Sequence, residues 1–462
     1  MRSFLAELDN DPDEGILRIE REVERDHELT AIVKALETRG NPVILFERVK
    51  GSEFPVLFGV TATKERIARA LGQPVARCVE WFVERSREQV PPVRVESAPV
   101  QEVVLTGDDA TLDVLPIGVH SPDDAGRYIT SGVTIVRDPV TGNTNTGIYR
   151  TMLKGDRAFT LNASLPHDLA KVMTWGAENE RPVDFAVSFG DHPAVAIASQ
   201  AKNPMAADAH ALTGALLGRP LEVVRGVTVD LDVPANAELV IEGRVLPGVR
   251  DPEGPFGEFT YYYGAASGWM CEVTAITHRR DAIYVDIHPA HSEHRCLWLF
   301  PGREARLLEL LRATIPTVQA VHIPLYGGSM SAYASMRKTH DGDARRALLL
   351  MLASDNYLKH AFVFDEDVDI FDPEHVLWAL NVRFQGDSDL VVVPNSRGIR
   401  MDPSAYSLLD RNTPGGLTTK LGFDVTMPLE RPYGPRADRV PDGFEELDVA
   451  EYLPNDLPGS MR

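Results

Sequence analysis

The chain has 462 residues, with 47 Lys and Arg against 68 Asp and Glu, and a net charge of −21. Apolar residues make up 44% and charged residues 25%, the mix of a globular chain with a sizeable core, and its length predicts roughly two to four domains. So acidic a chain lacks the basic face that nucleic-acid phosphates require. Its overall field also repels anions, so an acidic substrate would need a locally basic pocket.

The three cysteines, Cys78, Cys271 and Cys296, lie far apart and form no C-x-x-C pair. That argues against a disulfide framework and a cysteine zinc site, and it fits a reducing cytoplasm. The N-terminus turns acidic at once and lacks the apolar stretch of a signal peptide. The strongest apolar run, 347–353, is too short to span a bilayer. A cytoplasmic protein is expected.

In chain order, ELTAIVKALE (28–37) has helical spacing, PVILFERV (42–49) reads as a buried strand, and TKERIARALG (63–72) opens on a threonine cap and closes on Gly72. This small α/β unit ends near Pro91-Pro92. From about 110 to 290 strand signals dominate. YITSGVTIVRD and GIYRTML flank a hairpin link at 138–143, followed by RAFTLNAS, VDFAVSFG, AVAIASQ (194–200), LEVVRGVTVDLDV and AELVIEGRVL. Two helices, HDLAKVMTWGAE and AADAHALTGALLG, interrupt them. Many strands with two inserted helices suggest a β-barrel-like unit carrying a site. EARLLELLRAT (304–314) predicts a connecting helix, a second α/β unit follows, and the last 30 or so residues lack periodicity.

No dinucleotide fingerprint, P-loop, H-E-x-x-H or G-x-S-x-G is present. Four segments carry chemistry instead. In DPEGPFGE (251–258), Glu253 and Glu258 sit five residues apart around Pro and Gly. Paired carboxylates raise one another's proton affinity and so create a general acid, although the same residues also suit a solvated turn. In Asn145-Thr146-Gly147-Ile148-Tyr149-Arg150, the arginine can pin carboxylates, the asparagine oxygen can ligate a hard metal, and Gly147 allows close approach; a hairpin strand with an exposed arginine is the alternative. Asn145, His167 and Glu222 form a dispersed oxygen–nitrogen set suited to manganese or magnesium, though spacing alone does not bring them together. His288 to Arg295 meets no known ligand spacing and reads as a polar loop lining a pocket.

Taken in order, PVILFERVKGSEFPVLFGV, NTGIYR, the helix at His167, LEVV, VPANAELVIEG, EGPFGEFTYYYG, HAFVFDEDVDIFDPEHVLWALNVR and TTKLGFDVT resemble the UbiD family of reversible decarboxylases over about residues 5–430. The pairing of EGPFGE with an upstream N-x-G-x-x-R is the specific part. The resemblance implies a mixed α+β fold: an N-terminal α/β domain (1–108), a central split β-barrel flavin-binding domain (109–300), a linking helix (301–314), a C-terminal α/β oligomerisation domain (315–435) and a tail (436–462). It implies prenylated FMN held with manganese (or magnesium) and potassium, a flavin prenyltransferase as cofactor supplier, and a homodimer or larger homo-oligomer. Asn145, His167 and Glu222 would hold the divalent metal. Residues 145–150, Pro166, His167 and Glu222 would line the cofactor, with Lys420 reaching it. Arg150, Glu253 and Glu258 would be the catalytic set, with Glu258 the acid that protonates carbon once carbon dioxide has left.

The substrate expected is an aromatic or heteroaromatic acid, with a second carboxylate fitting the basic residues His291, His294, Arg303 and Arg337. An α,β-unsaturated acid, a non-catalytic flavin- or metal-binding protein on the same scaffold, and an unrelated metal-dependent hydrolase are the alternatives.

Overall fold

The computed structural model describes every residue except 13, 164–166, 202–206, 408–415, 435–436, 438–451 and 453–462. Pro166 and almost all of the tail expected over 436–462 therefore lie outside the described residues. No described helix is long and apolar enough to cross a membrane.

Among the described residues the fold is mixed α and β, built on four sheets. The first joins Ile16–Ile19, Val43–Phe46, Val56–Phe58 and, from far down the chain, Tyr284–Val285. Val43–Phe46 reads VILF because it is covered on both faces. Thr63 caps the helix Lys64–Ala70 by accepting the Arg66 N–H, as expected, and Gly72 turns the chain at φ +66°.

Among the described residues the central sheet has nine strands, all antiparallel. Its order is Tyr128–Ile129, Thr151–Leu153, Ala158–Leu161, Tyr263–His278, Leu239–Gly257, Val183–Phe189, Val133–Arg137 and Thr144–Ile148, with Val103–Thr106 also pairing Tyr263–His278. Among the described residues no pairing joins the two end strands, so this ladder is an open sheet and not a closed barrel. Phe159, Phe185, Ile241 and Val273 meet Leu169 and Met173 of the helix Asp168–Glu178 in its core. Each such side chain stabilises the fold by roughly 1.5–3 kcal/mol.

A three-stranded sheet of Asp232–Pro234, Glu222–Arg225 and Val93–Arg94 flanks it. The fourth sheet, ordered Val318–His322, Ser331–Met336, His360–Asp365, Leu417–Val425 and Leu390–Arg397, packs with the helices Gly302–Arg312 and Gly342–Ser354 around Leu308, Leu311, Leu348 and Met351. Gly302–Arg312 is the helix that the sequence predicts over 304–314.

Two expectations are corrected here. Residues 194–200 are not a strand: Pro193–Ser199 is a helix, capped by the His192 ring accepting the Ala194 N–H. Six of its seven residues are buried, so it shows no polar stripe from which a helical period could be read. The segment 288–295 is not all loop either. The helix Ser292–Leu299 starts inside it, with His291 accepting the Glu293 N–H as its cap. A further helix, Val75–Arg85, was not expected.

Candidate active site

The long hairpin Leu239–Gly257 and Tyr263–His278 carries both glutamates. Glu253 pairs across from Ala266, whereas Phe256 pairs with Gly264: three steps on one strand match two on the other. That extra residue is a β-bulge, and it changes the parity of the pleat. Two carboxylates with an odd spacing can thereby turn to the same side. The bulge requires glycine at 254, where φ is +105° and a Cβ would meet the Ala265 Cα and the Gly264 oxygen at 2.7 Å.

Arg150 follows the strand Thr144–Ile148 and stands against this bulge, its guanidinium 5.1 Å from the Phe256 ring. It donates from Nε at 3.0 Å and from Nη2 at 2.7 Å to Glu253 Oε2, and from Nη1 to Glu258 Oε1. Asn162 Nδ2 donates to the same Glu253 oxygen at 2.5 Å. Gly264 leaves room for this arrangement, since a Cβ there would lie 3.0 Å from Glu258 Oε1. Glu253 and Glu258 are 1% and 8% exposed, so the solvated-turn alternative is excluded. Burial pushes the Glu258 carboxyl up to about 7; Arg150 opposes the rise, while Glu253 and Asp124 add to it. Glu258 thus holds its proton at neutral pH far more than an exposed glutamate does.

A cavity of about 1610 Å³ opens beside this set, lined by Arg150 and Glu258. All of residues 145–150 line it, and so does His167, which begins the helix Asp168–Glu178. The Asn145 side-chain oxygen is buried there without a hydrogen-bond partner.

Glu222 is not brought to this wall. It is exposed, outside the cavity lining, and its carboxylate accepts from Asn236 at 2.9 Å. Asp208 stands in the cavity wall instead. It caps the helix Ala209–Leu217 by accepting the His210 and Ala211 amides at 2.9 and 3.0 Å, and its other oxygen accepts the Thr144 N–H at 2.8 Å, one residue from Asn145. Asn145, His167 and Asp208 all line this cavity, and they are the oxygen and nitrogen donor types that a hard divalent metal takes. Lys420 is likewise not in the lining. It is buried in Leu417–Val425, where it donates to the Leu352 and Asp355 carbonyls at 2.8 and 2.7 Å, and burial pushes its ammonium down to about 8. It closes the end of the helix Gly342–Ser354 and does not reach the cavity.

The four basic residues expected at a substrate pocket divide. Arg303 and His294 line the cavity, but His291 does not, and Arg337 is exposed and paired with Glu366 at 2.8 Å. Arg303 is buried with its guanidinium 4.6 Å from the Trp298 ring and 4.9 Å from the Tyr357 ring. One nitrogen pairs with Asp355, while Nε and Nη1 have no partner. Burial pushes its pKa down to about 10. His294 lies stacked on Trp298 at 6.2 Å and donates from Nδ1 to the Pro289 carbonyl at 2.5 Å, leaving Nε2 as an acceptor. Phe259, next to Glu258, packs 4.9 Å from Trp298 and 6.2 Å from Tyr357. A chain of aromatic contacts thus links the backbone next to Glu258 to the Arg303 guanidinium.

Asp208, Asn162, Trp298 and Tyr357 were not singled out from sequence. Only Asp208 leaves a trace there, as an acidic residue at a helix start; Asn162 and Tyr357 lie far along the chain from the residues they meet, and Trp298 reaches Phe259 from 39 positions away.

Residues 12–86, 92–292 and 298–425 match, in turn, the 3-octaprenyl-4-hydroxybenzoate carboxy-lyase N-terminal domain, Rift-related domain and C-terminal domain of UbiD. The chain is 34% identical over 432 residues to the anhydromevalonate phosphate decarboxylase of Methanothermobacter thermautotrophicus, covering 93% of this chain and 97% of that one. Among solved structures it is similar to the UbiD-class enzyme HmfF from Pelotomaculum thermopropionicum in complex with FMN, at 38% identity and a TM-score of 0.90, covering 98% of this chain and 99% of that one. An evolved dimeric form of HmfF in complex with prFMN gives 37% and 0.87 over the same shares. The 3,4-dihydroxybenzoic acid decarboxylase AroY of Klebsiella pneumoniae gives 28% and 0.86, again over 98% and 99%. With all three domains matched in order along a chain that ties its arginine to both glutamates beside one cavity, this protein belongs to the UbiD family of carboxy-lyases.

Proposed function

We propose that the protein is a reversible, non-oxidative decarboxylase of an aromatic or heteroaromatic acid that carries a second anionic group, acting with prenylated FMN. The observation that carries this reading is the Arg150–Glu253–Glu258 set, with Arg150 and Glu258 lining a large cavity, Glu253 buried behind the arginine, and Glu258 holding its proton near neutral pH. The open nine-stranded sheet is read as the split barrel, and its donors fit the cofactor. Asn145, His167 and Asp208 would hold manganese or magnesium and, through it, the flavin phosphate. The unpartnered Asn145 oxygen supports this assignment. Potassium, a homodimer or larger homo-oligomer, and supply by a flavin prenyltransferase are proposed on family likeness.

Bound prenylated FMN would supply the electron sink that no side chain offers a carbon losing carbon dioxide. The chain's own residues do the rest. Arg150 orients Glu258 and offers positive charge to the reacting carboxylate. Glu253, tied to Arg150 and Asn162, fixes the guanidinium. Glu258 gives its proton to the carbon that the departing carbon dioxide leaves behind, and in the reverse direction takes it back. At the other end, the two unpartnered Arg303 nitrogens fit a second carboxylate, with the ring of Phe259, Trp298 and Tyr357 flanking a flat substrate. A second reading, an α,β-unsaturated acid bearing a phosphate at that end, is favoured by the similarity to anhydromevalonate phosphate decarboxylase.

The test is absorbance of protein co-produced with a flavin prenyltransferase, with carbon dioxide release from a panel holding aromatic monoacids, heteroaromatic diacids and phosphorylated unsaturated acids. A flavin-like spectrum with turnover of diacids supports the first reading, and turnover of phosphorylated acids alone supports the second. Protein that binds no flavin and releases no carbon dioxide would sink both.

A further inference from the structure

The backbone around Glu258 is held by a segment that none of the foregoing roles involves. Residues 121–128 run beneath the glycine–proline turn and meet it repeatedly. Ala125 donates its N–H to the Pro255 carbonyl at 2.8 Å, and the Tyr128 hydroxyl donates to the same oxygen at 3.3 Å. Asp124 Oδ1 accepts the Gly257 N–H at 2.7 Å, and its Oδ2 accepts the Ser121 N–H at 2.8 Å. The fit is close, since a Cβ on Gly257 would lie 2.6 Å from Ser121 Oγ. The amide that Asp124 holds is the one immediately before Glu258.

Asp124 also brings charge. Glu258 is faced by Arg150 and Glu253 from the central sheet, by Asp124 from residues 121–128 and by Tyr357, which packs on the neighbouring Phe259. Asp124 itself is faced by His120 and Tyr128 in addition to Glu258. A third carboxylate beside the Glu253–Glu258 pair makes ionisation of Glu258 more costly, against the pull of Arg150.

We propose that Asp124 is a positioning residue for the proton donor: it fixes the Gly257 amide, hence the backbone carrying Glu258, and its negative charge keeps the Glu258 proton in place. This rests on reading Glu258 as the acid.

The experiment is an infrared titration of the holoenzyme, following the carboxylic-acid band absent from Glu258→Gln. In the unaltered protein that band should vanish as pH rises through about 7. In Asp124→Asn, which keeps an acceptor for Gly257 but loses the charge, the midpoint should fall by about half a pH unit, with kcat at pH 8 about threefold lower and KM unchanged. Asp124→Glu, which restores the charge, should bring the midpoint back, and Asp123→Asn, its exposed neighbour, should leave it unmoved. An unchanged midpoint in Asp124→Asn overturns the role of Asp124. Absence of any near-neutral band in the unaltered protein, or full turnover by Glu258→Gln, overturns the reading of Glu258 instead.

Discussion

Arg150 grips Glu253 with two nitrogens on one oxygen, Nε at 3.0 Å and Nη2 at 2.7 Å, which leaves Nη1 free to turn to Glu258. A single guanidinium thereby sets the separation of the two carboxylates. Lysine offers a point charge with no fork, so Arg150→Lys should keep the fold but lower kcat/KM by roughly 10²–10³-fold. Steady-state kinetics with the best acid of the panel check this. Glu258→Gln should keep the flavin spectrum while kcat drops by about 10²–10⁴-fold.

The pH dependence follows from the Glu258 proton. In the decarboxylation direction the donor must enter each cycle protonated, so kcat should be flat below about 7 and fall as pH rises through it. Well above that point the loss should approach about tenfold per pH unit. A kcat profile measured from pH 5.5 to about 9 tests the sign, since a required base would give a rise instead.

Arg303 should govern which acids are accepted. Its Nε and Nη1 are buried without partners, so a second anionic group gains charge-assisted hydrogen bonds there. Arg303→Gln should raise KM for a diacid or phosphorylated acid by roughly 10–100-fold, at about 1.5–3 kcal/mol for the lost bonds. Monoacids should be affected much less. Equal losses for both classes would remove Arg303 from substrate recognition.

Asp208 and Glu222 make opposite predictions. Asp208→Ala should lower bound manganese and flavin together, measured by elemental analysis and absorbance of purified protein. Some loss of stability, about 1 kcal/mol, is expected from the missing helix cap. Glu222→Gln should leave both contents unchanged, because its carboxylate lies outside the cavity lining. The reverse result would restore Glu222 as the ligand.

Much of the site was legible because its chemistry is local in sequence. The five-residue spacing of Glu253 and Glu258 around Gly254-Pro255, and the approach of Asn145 to Arg150, are properties of short segments. What stayed illegible depends on distant partners. Asp208 and Glu222 are both acidic residues beginning an element, and what tells them apart is spatial: the Thr144 amide, 64 positions away, holds Asp208 beside the cavity, while Glu222 lies outside its lining. Lys420 sits in a segment that resembles the family's, yet its ammonium turns to helix-end carbonyls. The helix Pro193–Ser199 resembles a strand in sequence because it is buried nearly all round, so its apolar residues show no helical period. The long hairpin was foreseen only in part, because its bulges break the alternation by which a strand is recognised.

The strand Tyr284–Val285, which pairs in parallel with Val56 and Leu57, bears on how the molecule is made. The first sheet lacks its edge partner until the ribosome has synthesised well over half the chain. An amino-terminal fragment ending near residue 90 would leave Val56–Phe58, buried throughout in the intact protein, with an open edge. Such an edge invites pairing with other nascent chains. Closing it spans more than 220 residues, so this step belongs late in folding, and truncated products should collect as aggregates.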